Sequence, residues 1–398
     1  MLKATSQRLK VALVTETYLP EVNGVAMTLG QLAAGLTTRG HRVQIVRPRQ
    51  KHEKTGWQVD GQLLTPGIPI PRYPELRFGL PVTDRLWQAW REQTPDVVHV
   101  ATEGPLGFSA LGAARQLDIP VVSTFHTNFH TYSQHYGVGW LQGSIERYLR
   151  WFHNRTAITL VPTPQLAAQL GARGFRSVGV LSRGVDTRLF NPAKRSPELR
   201  TTWGATEHDP VVMIVGRLAP EKNLELALAA FTKIRALQPG AKMVFVGDGP
   251  LLAPLARRHP ECHFAGSRRG EDLAAHYASA DLFLFPSLTE TFGNVVSEAL
   301  ASGLPVVAYD LAAASDLIED DINGLRVAPG DKAAFIAASC ALAGKPEDRS
   351  SFRTAGPASV QHLDWERIQD GYIRLLHEVI RQHARELADT EIIRFAPD

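Results

Sequence analysis

Asp281-Leu-Phe-Leu-Phe-Pro-Ser-Leu-Thr-Glu-Thr-Phe-Gly-Asn-Val-Val-Ser-Glu-Ala-Leu-Ala-Ser-Gly303 changes pattern halfway along its length. Residues 281–286 form an apolar run stopped by proline, the pattern of a strand buried on both faces. Such a strand belongs to a parallel sheet covered by helices on each side. From Gly293 onward the chain turns to helix formers, so Glu290 lies in a strand-to-helix loop. The amides of Phe292, Gly293, Asn294 and Val295 then sit as free donors at a helix N-terminus, a position that suits an anion. At ~1.5 Å per residue, Glu298 is carried roughly 7 Å further along the helix axis. That span matches a hexose and a ribose at the two ends of a diphosphate, with one carboxylate for each set of hydroxyls.

The strand-then-helix alternation recurs twice along the chain, the mark of doubly wound α/β units. In the first half the strands are Lys10–Thr15, His41–Val46, Asp96–Val100, Pro120–Thr124 and Ala157–Val161, with a helix from Gly24 to Arg39 closed by Gly40. The second half starts over with Pro210–Val215, a helix over 223–238, Lys242–Val246, Leu282–Phe285 and Pro305–Ala308. Between them the turn-rich Ser182-Arg-Gly-Val-Asp-Thr-Arg-Leu-Phe-Asn-Pro192 reads as a connector. The domains expected are 1–181, 182–364 and a long amphipathic helix over 365–388 with Trp365, Ile368, Tyr372, Leu375, Leu376 and Val379 as its apolar stripe, followed by a frayed end.

The chain of 398 residues, 44% hydrophobic and 21% charged, has the size and composition of a soluble two-domain protein. It holds no run of eighteen apolar residues, and Met1–Lys10 lacks the apolar core of a signal peptide, so a cytoplasmic location is expected. Cys262 and Cys340 are too few for a disulfide framework or a cysteine-rich metal site and read as buried small hydrophobes. The net charge of +3 divides unevenly: residues 1–183 carry 20 Lys and Arg against 11 Asp and Glu, and the remainder 23 against 29. A basic half suits an anionic lipid or a phosphorylated acceptor. No zinc spacing or recognition-helix pattern supports nucleic acid.

Four further loops carry candidate chemistry. Thr15-Glu-Thr-Tyr-Leu-Pro-Glu-Val-Asn-Gly-Val25 follows the first strand, and its glycine lets backbone approach a phosphate, although it is not Gly-x-Gly-x-x-Gly. Gly216-Arg-Leu-Ala-Pro-Glu-Lys222 sends two cations from the carboxyl edge of a parallel sheet, where open α/β folds bind ligands. Val246-Gly-Asp-Gly-Pro250 is a strand-end glycine turn, and Gly266-Ser-Arg-Arg-Gly-Glu-Asp272 carries Arg268 in a pattern that does not decode into guanine or uracil. His126 ends the apolar strand Pro120–Thr124 at a functional edge. After it, residues 128–155 gather Phe129, Tyr132, Tyr136, Trp140, Tyr148, Trp151 and Phe152 among arginines, either as a packed helix pair or as a surface for a lipid headgroup.

The 287–303 segment resembles the Glu-x7-Glu signature of retaining glycosyltransferases of family 4, and the resemblance extends from Val11 to about Leu376. It implies the GT-B fold: two Rossmann-like domains facing across a cleft, with a C-terminal helix crossing back to the first. By the resemblance Gly24 faces the donor diphosphate, and Arg217 and Lys222 neutralise it beside Gly216. Gly247 lies near base and ribose, the loop holding Arg268 reads the base, and His126 approaches the donor sugar. Glu290 and the Phe292–Val295 amides hold sugar and phosphate, and Glu298 holds ribose. The expected reaction is transfer of a hexose, with retention, to a hydroxyl of a lipid-linked or glycolipid acceptor on the inner face of the plasma membrane. No cofactor or metal is required. Thr124-Phe-His-Thr-Asn and Glu290-Thr-Phe-Gly-Asn-Val look closest to bacterial GDP-mannose-dependent α-mannosyltransferases, with a UDP-sugar-dependent diacylglycerol glycosyltransferase as the near alternative. A UDP-GlcNAc 2-epimerase-like isomerase would need no acceptor, and a non-catalytic nucleotide-sugar-binding protein would never turn over.

Overall fold

The computed structural model describes residues 8–21, 23–51, 53, 56–59, 61–70, 73–126, 142–344 and 346–395. The chain divides into two compact units, Met1–Ser182 with Glu366–Asp398, and Arg183–Trp365.

The first unit is built on β1 (Lys10–Val14), β2 (Arg42–Pro48), β3 (Gln58–Val59), β4 (Gln62–Thr65), β5 (Gly67–Ile70), β6 (Tyr73–Gly79), β7 (Val97–Val100), β8 (Val121–Thr124), β9 (Ile158–Val161) and β10 (Val178–Val180). Eight of these form a sheet in the order β10-β9-β8-β7-β1-β2-β4-β3, while β5 and β6 make a separate antiparallel hairpin. All pairs in the large sheet are parallel except β3 with β4. Ala12, Val14, Val98 and Val100 pack against Leu106, Ala110 and Ala114 of the helix Pro105–Gln116. Each Val or Leu side chain so buried contributes roughly 1.5–3 kcal/mol, an alanine methyl about 0.8.

The helix Trp365–Phe395 packs onto this unit from Glu366 onward. Gln369 donates to the carbonyl of Gln31 at 2.8 Å and accepts from Arg39 Nη1 at 2.8 Å, and Arg39 also pairs with Asp370 at 2.7 Å. Buried Tyr372 places its hydroxyl 2.6 Å from His99 Nδ1 on β7. Gly35 makes room for this contact, because a Cβ there would lie 2.2 Å from Gln369 Cδ. Past the expected end at 388 the backbone stays helical to Phe395, and residues 396–398 lie outside the described residues. Nothing between Ala384 and Phe395 is Gly or Pro, and the first breaker is Pro397, which disfavours helix at the residue before it.

The second unit is a six-stranded parallel sheet of β11 (Val211–Val215), β12 (Lys242–Val246), β13 (His263–Gly266), β14 (Leu282–Phe285), β15 (Val306–Tyr309) and β16 (Gly324–Val327), ordered β13-β12-β11-β14-β15-β16. Every residue of β11, β14 and β15 is buried, as the unbroken apolar runs demand. Cys262 is buried as expected, whereas Cys340 is only half-buried on its surface helix. From β11 the chain winds outward through β12 to β13, then returns at β14 and winds the other way. The carboxyl edge between β11 and β14 is therefore a switch point where two loops diverge and leave a crevice. The first unit has the same feature between β1 and β7.

Candidate active site

In the second unit, the loop after β11 is shaped by glycine. Gly216 (φ 143°) and Gly247 (φ 140°) both adopt backbone conformations that side chains resist, and a Cβ on Gly247 would fall 1.9 Å from the Gly216 carbonyl oxygen. Bonds from Gly216 N to Val246 O (2.9 Å) and Leu218 N to Asp248 O (2.8 Å) tie the β11 and β12 loops together. The chain then makes one 3-10 turn over Pro220–Lys222, and Asn223 (φ 53°) donates to the carbonyl of Pro286, joining this loop to the one after β14.

That junction brings Lys222 to Glu290. The ammonium forms an ion pair with Glu290 Oε1, which also accepts from Ser287 Oγ at 2.8 Å, and both partners are largely buried. Arg183, absent from the residues singled out in the sequence, lies beside the same loop: its Nη1 is 3.4 Å from Asn294 Oδ1 and its guanidinium carbon 5.9 Å from the ring centroid of buried Phe292. Arg217 is half-exposed, with Glu221 Oε1 3.4 Å from its Nη1. Arg183 and Lys222 thus flank the loop after β14 that carries Glu290, while Arg217 stands beside Glu221 on the loop after β11.

Gly293 (φ 89°) precedes the helix Asn294–Ala301, whose N-terminus receives no side-chain cap. The amides at Asn294 and Val295 therefore open the helix as donors. Four residues on, half-buried Glu298 accepts from the hydroxyl of fully buried Tyr277 at 2.9 Å. Burial pushes the Glu298 pKa up to about 7, against the lowering effect of the Tyr277 bond. Arg268 is held locally by the carbonyl of Ala265 (2.9 Å) and by Asp272 (3.0 Å), so it joins neither cluster through these bonds. Among the described residues no group of three or more His, Cys, Asp or Glu side chains is placed to hold a metal ion.

In the first unit, Gly24 is the first residue of the helix Gly24–Thr38, and the side chain of Asn23 caps it, accepting from the amides of Val25 (3.1 Å) and Ala26 (2.9 Å). Those two amides are already engaged. His126 follows β8 at half burial, after Phe125, whose amide donates to Leu160 O at 2.8 Å. Residues 127–141, with Phe129, Tyr132, Tyr136 and Trp140, lie outside the described residues. Glu16, on the loop after β1, is pressed against Gly104, where a Cβ would come within 2.4 Å of both carboxylate oxygens. Burial raises its pKa to about 7, offset by the amides of Leu106 and Gly79 and reinforced by Glu103.

The residues that sequence reasoning passed over are thus Arg183, Tyr277 and Glu16. A charge in a turn-rich connector reads as solvated, and a tyrosine on an apolar helix stripe reads as core. Glu16 had a visible signal in its position directly after a central strand.

The sequence profile described as "Glycosyl transferases group 1" matches residues 209–345, and that of "Glycosyltransferase Family 4" matches residues 22–189. A "GDP-mannose-dependent alpha-mannosyltransferase" of Mycobacterium tuberculosis is 36% identical over 331 residues, 81% of this chain and 84% of that protein. A protein of the same name from Mycolicibacterium smegmatis is 34% identical and covers 91% of each chain. The sucrose-phosphate synthase structure from Thermosynechococcus elongatus superposes with a TM-score of 0.75 at 19% identity, over 94% of this chain and all of that one.

Proposed function

The chain belongs to the family 4 glycosyltransferases of the GT-B fold and is a hexosyltransferase; from that premise we propose that it moves mannose from GDP-mannose, with retention, to a hydroxyl of a lipid-linked or glycolipid acceptor. The observation that carries the donor half is the carboxyl edge between β11 and β14, where Lys222 pairs with Glu290 and an uncapped helix N-terminus opens between Glu290 and Glu298 along the chain. A diphosphate supplies the opposite charge, and the acids lie toward its two ends. The choice of GDP-mannose follows the names of the relatives.

In this reading Lys222, Arg217 and the amides at 292–295, beside Gly216 and Gly293, stabilise the diphosphate as it leaves, which lowers the barrier most because the charge develops in the transition state. The ion pair sets Glu290 beside Lys222, so that the acid meets sugar hydroxyls where the ammonium meets phosphate. Glu298 holds ribose hydroxyls, and Gly247 and Arg268 border the nucleoside. Both acids have binding tasks, so no carboxylate is assigned as nucleophile, and the departing phosphate takes the acceptor proton. No metal or cofactor enters this scheme.

For the acceptor, the first unit offers an exposed aromatic cluster: the Trp151 ring lies near parallel to those of Phe108 (5.8 Å) and Tyr148 (6.2 Å), with Arg155 at 4.1 Å over it. Such a surface suits peripheral contact with an anionic membrane. Among the described residues no helix is long and apolar enough to cross one. The test is a screen by mass spectrometry of GDP-mannose and UDP-glucose against polyprenyl and diacylglycerol acceptors, with liposome flotation alongside. A hexose added from GDP-mannose to a lipid acceptor supports the reading. Transfer from UDP-glucose alone, or donor bound but never consumed, overturns it.

A further inference from the structure

Beside the loop after β14 lies a buried cation, Arg183, that this scheme leaves without a task. Arg183 is 7% exposed, yet its one hydrogen bond among the described residues is the 3.4 Å contact to Asn294, and its Nε is buried with no partner. A guanidinium carries five donors, and burying one without acceptors is costly. Burial draws its pKa down to about 10 even with Glu290 nearby. Glu290 relieves it only in part: its charge favours the guanidinium through space, but it makes no hydrogen bond to Arg183 among the described residues, and its Oε1 is taken by Lys222 and Ser287. Nor does the helix: Asn294 begins an uncapped helix whose positive end repels a cation. A guanidinium, an ammonium and a helix N-terminus thus converge on a loop with a single carboxylate, and the missing partner is an anion.

We infer that Arg183 is a third cationic ligand of the donor's diphosphate, closing its planar fork on non-bridging phosphate oxygens beside the Asn294 and Val295 amides. Guanidinium geometry favours that pairing over a lone hydroxyl. The inference rests on the second unit being the donor site and adds to it a residue whose unpaired charge ligand binding relieves. The guanidinium is then a burden on the empty protein and an asset to the loaded one.

The experiment titrates GDP and UDP calorimetrically into wild type, Arg183→Lys and Arg183→Met, measures guanosine and uridine binding by ligand-observed NMR, and records ligand-free melting temperatures. Arg183→Met is expected to lose roughly 10- to 100-fold in affinity for whichever diphosphate wild type binds, to keep the nucleoside affinity, and to melt at or above wild type when empty. Arg183→Lys falls between. Unchanged diphosphate affinity in Arg183→Met overturns the inference, as does an equal loss for nucleoside, or an empty variant melting well below wild type, which marks a structural guanidinium. If wild type binds neither GDP nor UDP, the donor reading itself falls and takes this inference with it.

Discussion

At Glu298 the balance of burial and hydrogen bonding sets a pH dependence. Its pKa of about 7 in the folded chain lies above the ordinary 4.5 because burial penalises the charged form more than the Tyr277 hydroxyl favours it. If the ionised carboxylate grips ribose, donor affinity rises with pH through about 7. Tyr277→Phe removes a bond that favours ionisation and shifts that rise to higher pH. Donor KM measured from pH 6 to 8.5 reads both effects, and a flat profile for both proteins contradicts the role given to Glu298. Stability moves in the opposite sense. The folded state binds this proton more tightly, so the contribution is complete below about pH 4.5 and gone once pH passes about 7. Glu298→Gln is therefore more stable than wild type at pH 8, by on the order of 3 kcal/mol and read as a higher thermal midpoint, and loses most of that advantage near pH 5. At Lys222 the cost is to turnover: Lys222→Met strips charge from the leaving diphosphate and leaves Glu290 unpaired, so steady-state kcat/KM falls by about 100-fold or more.

Among the elements, the helix Trp365–Phe395 depends on one absent side chain. Gly35→Ala forces a methyl group toward Gln369 Cδ and Cγ, disturbing the bonds to Gln31 and Arg39. Destabilisation of about 1–3 kcal/mol is expected, read as a lower thermal midpoint, and a variant as stable as wild type refutes the packing account. Buried His99 and His153 set the acid limit of the same unit, since burial lowers both pKa values to about 3. The stability they give is present above about pH 6.5 and lost as pH falls through about 3. The strands around these residues were legible because Val97–Val100 and Val121–Thr124 are rich in β-branched residues and almost wholly buried, although His99, Ser123 and Thr124 interrupt the apolar pattern. Gln58–Gly79 was not: its strands are two to seven residues long and mix Gln, Glu, Arg and Pro with apolar positions, so pairing partners rather than local pattern decide them.

Across the whole molecule, each unit has its own sheet and its own switch point, and the candidate site was legible where loop chemistry follows directly from a central strand. Glu290, Lys222 and the Gly293 helix start were visible for that reason. Arg183 and Tyr277 were not, because their meaning comes from what folding places beside them, Asn294 in one case and Glu298 in the other. The central claim is that the carboxyl edge of the second unit holds a nucleoside diphosphate sugar. Hydrogen–deuterium exchange of the full chain with and without GDP-mannose tests it most directly. The account predicts slowed exchange at the amides of 216–222, 247–249 and 290–298; exchange unchanged there, or slowed only within residues 1–182, would contradict it.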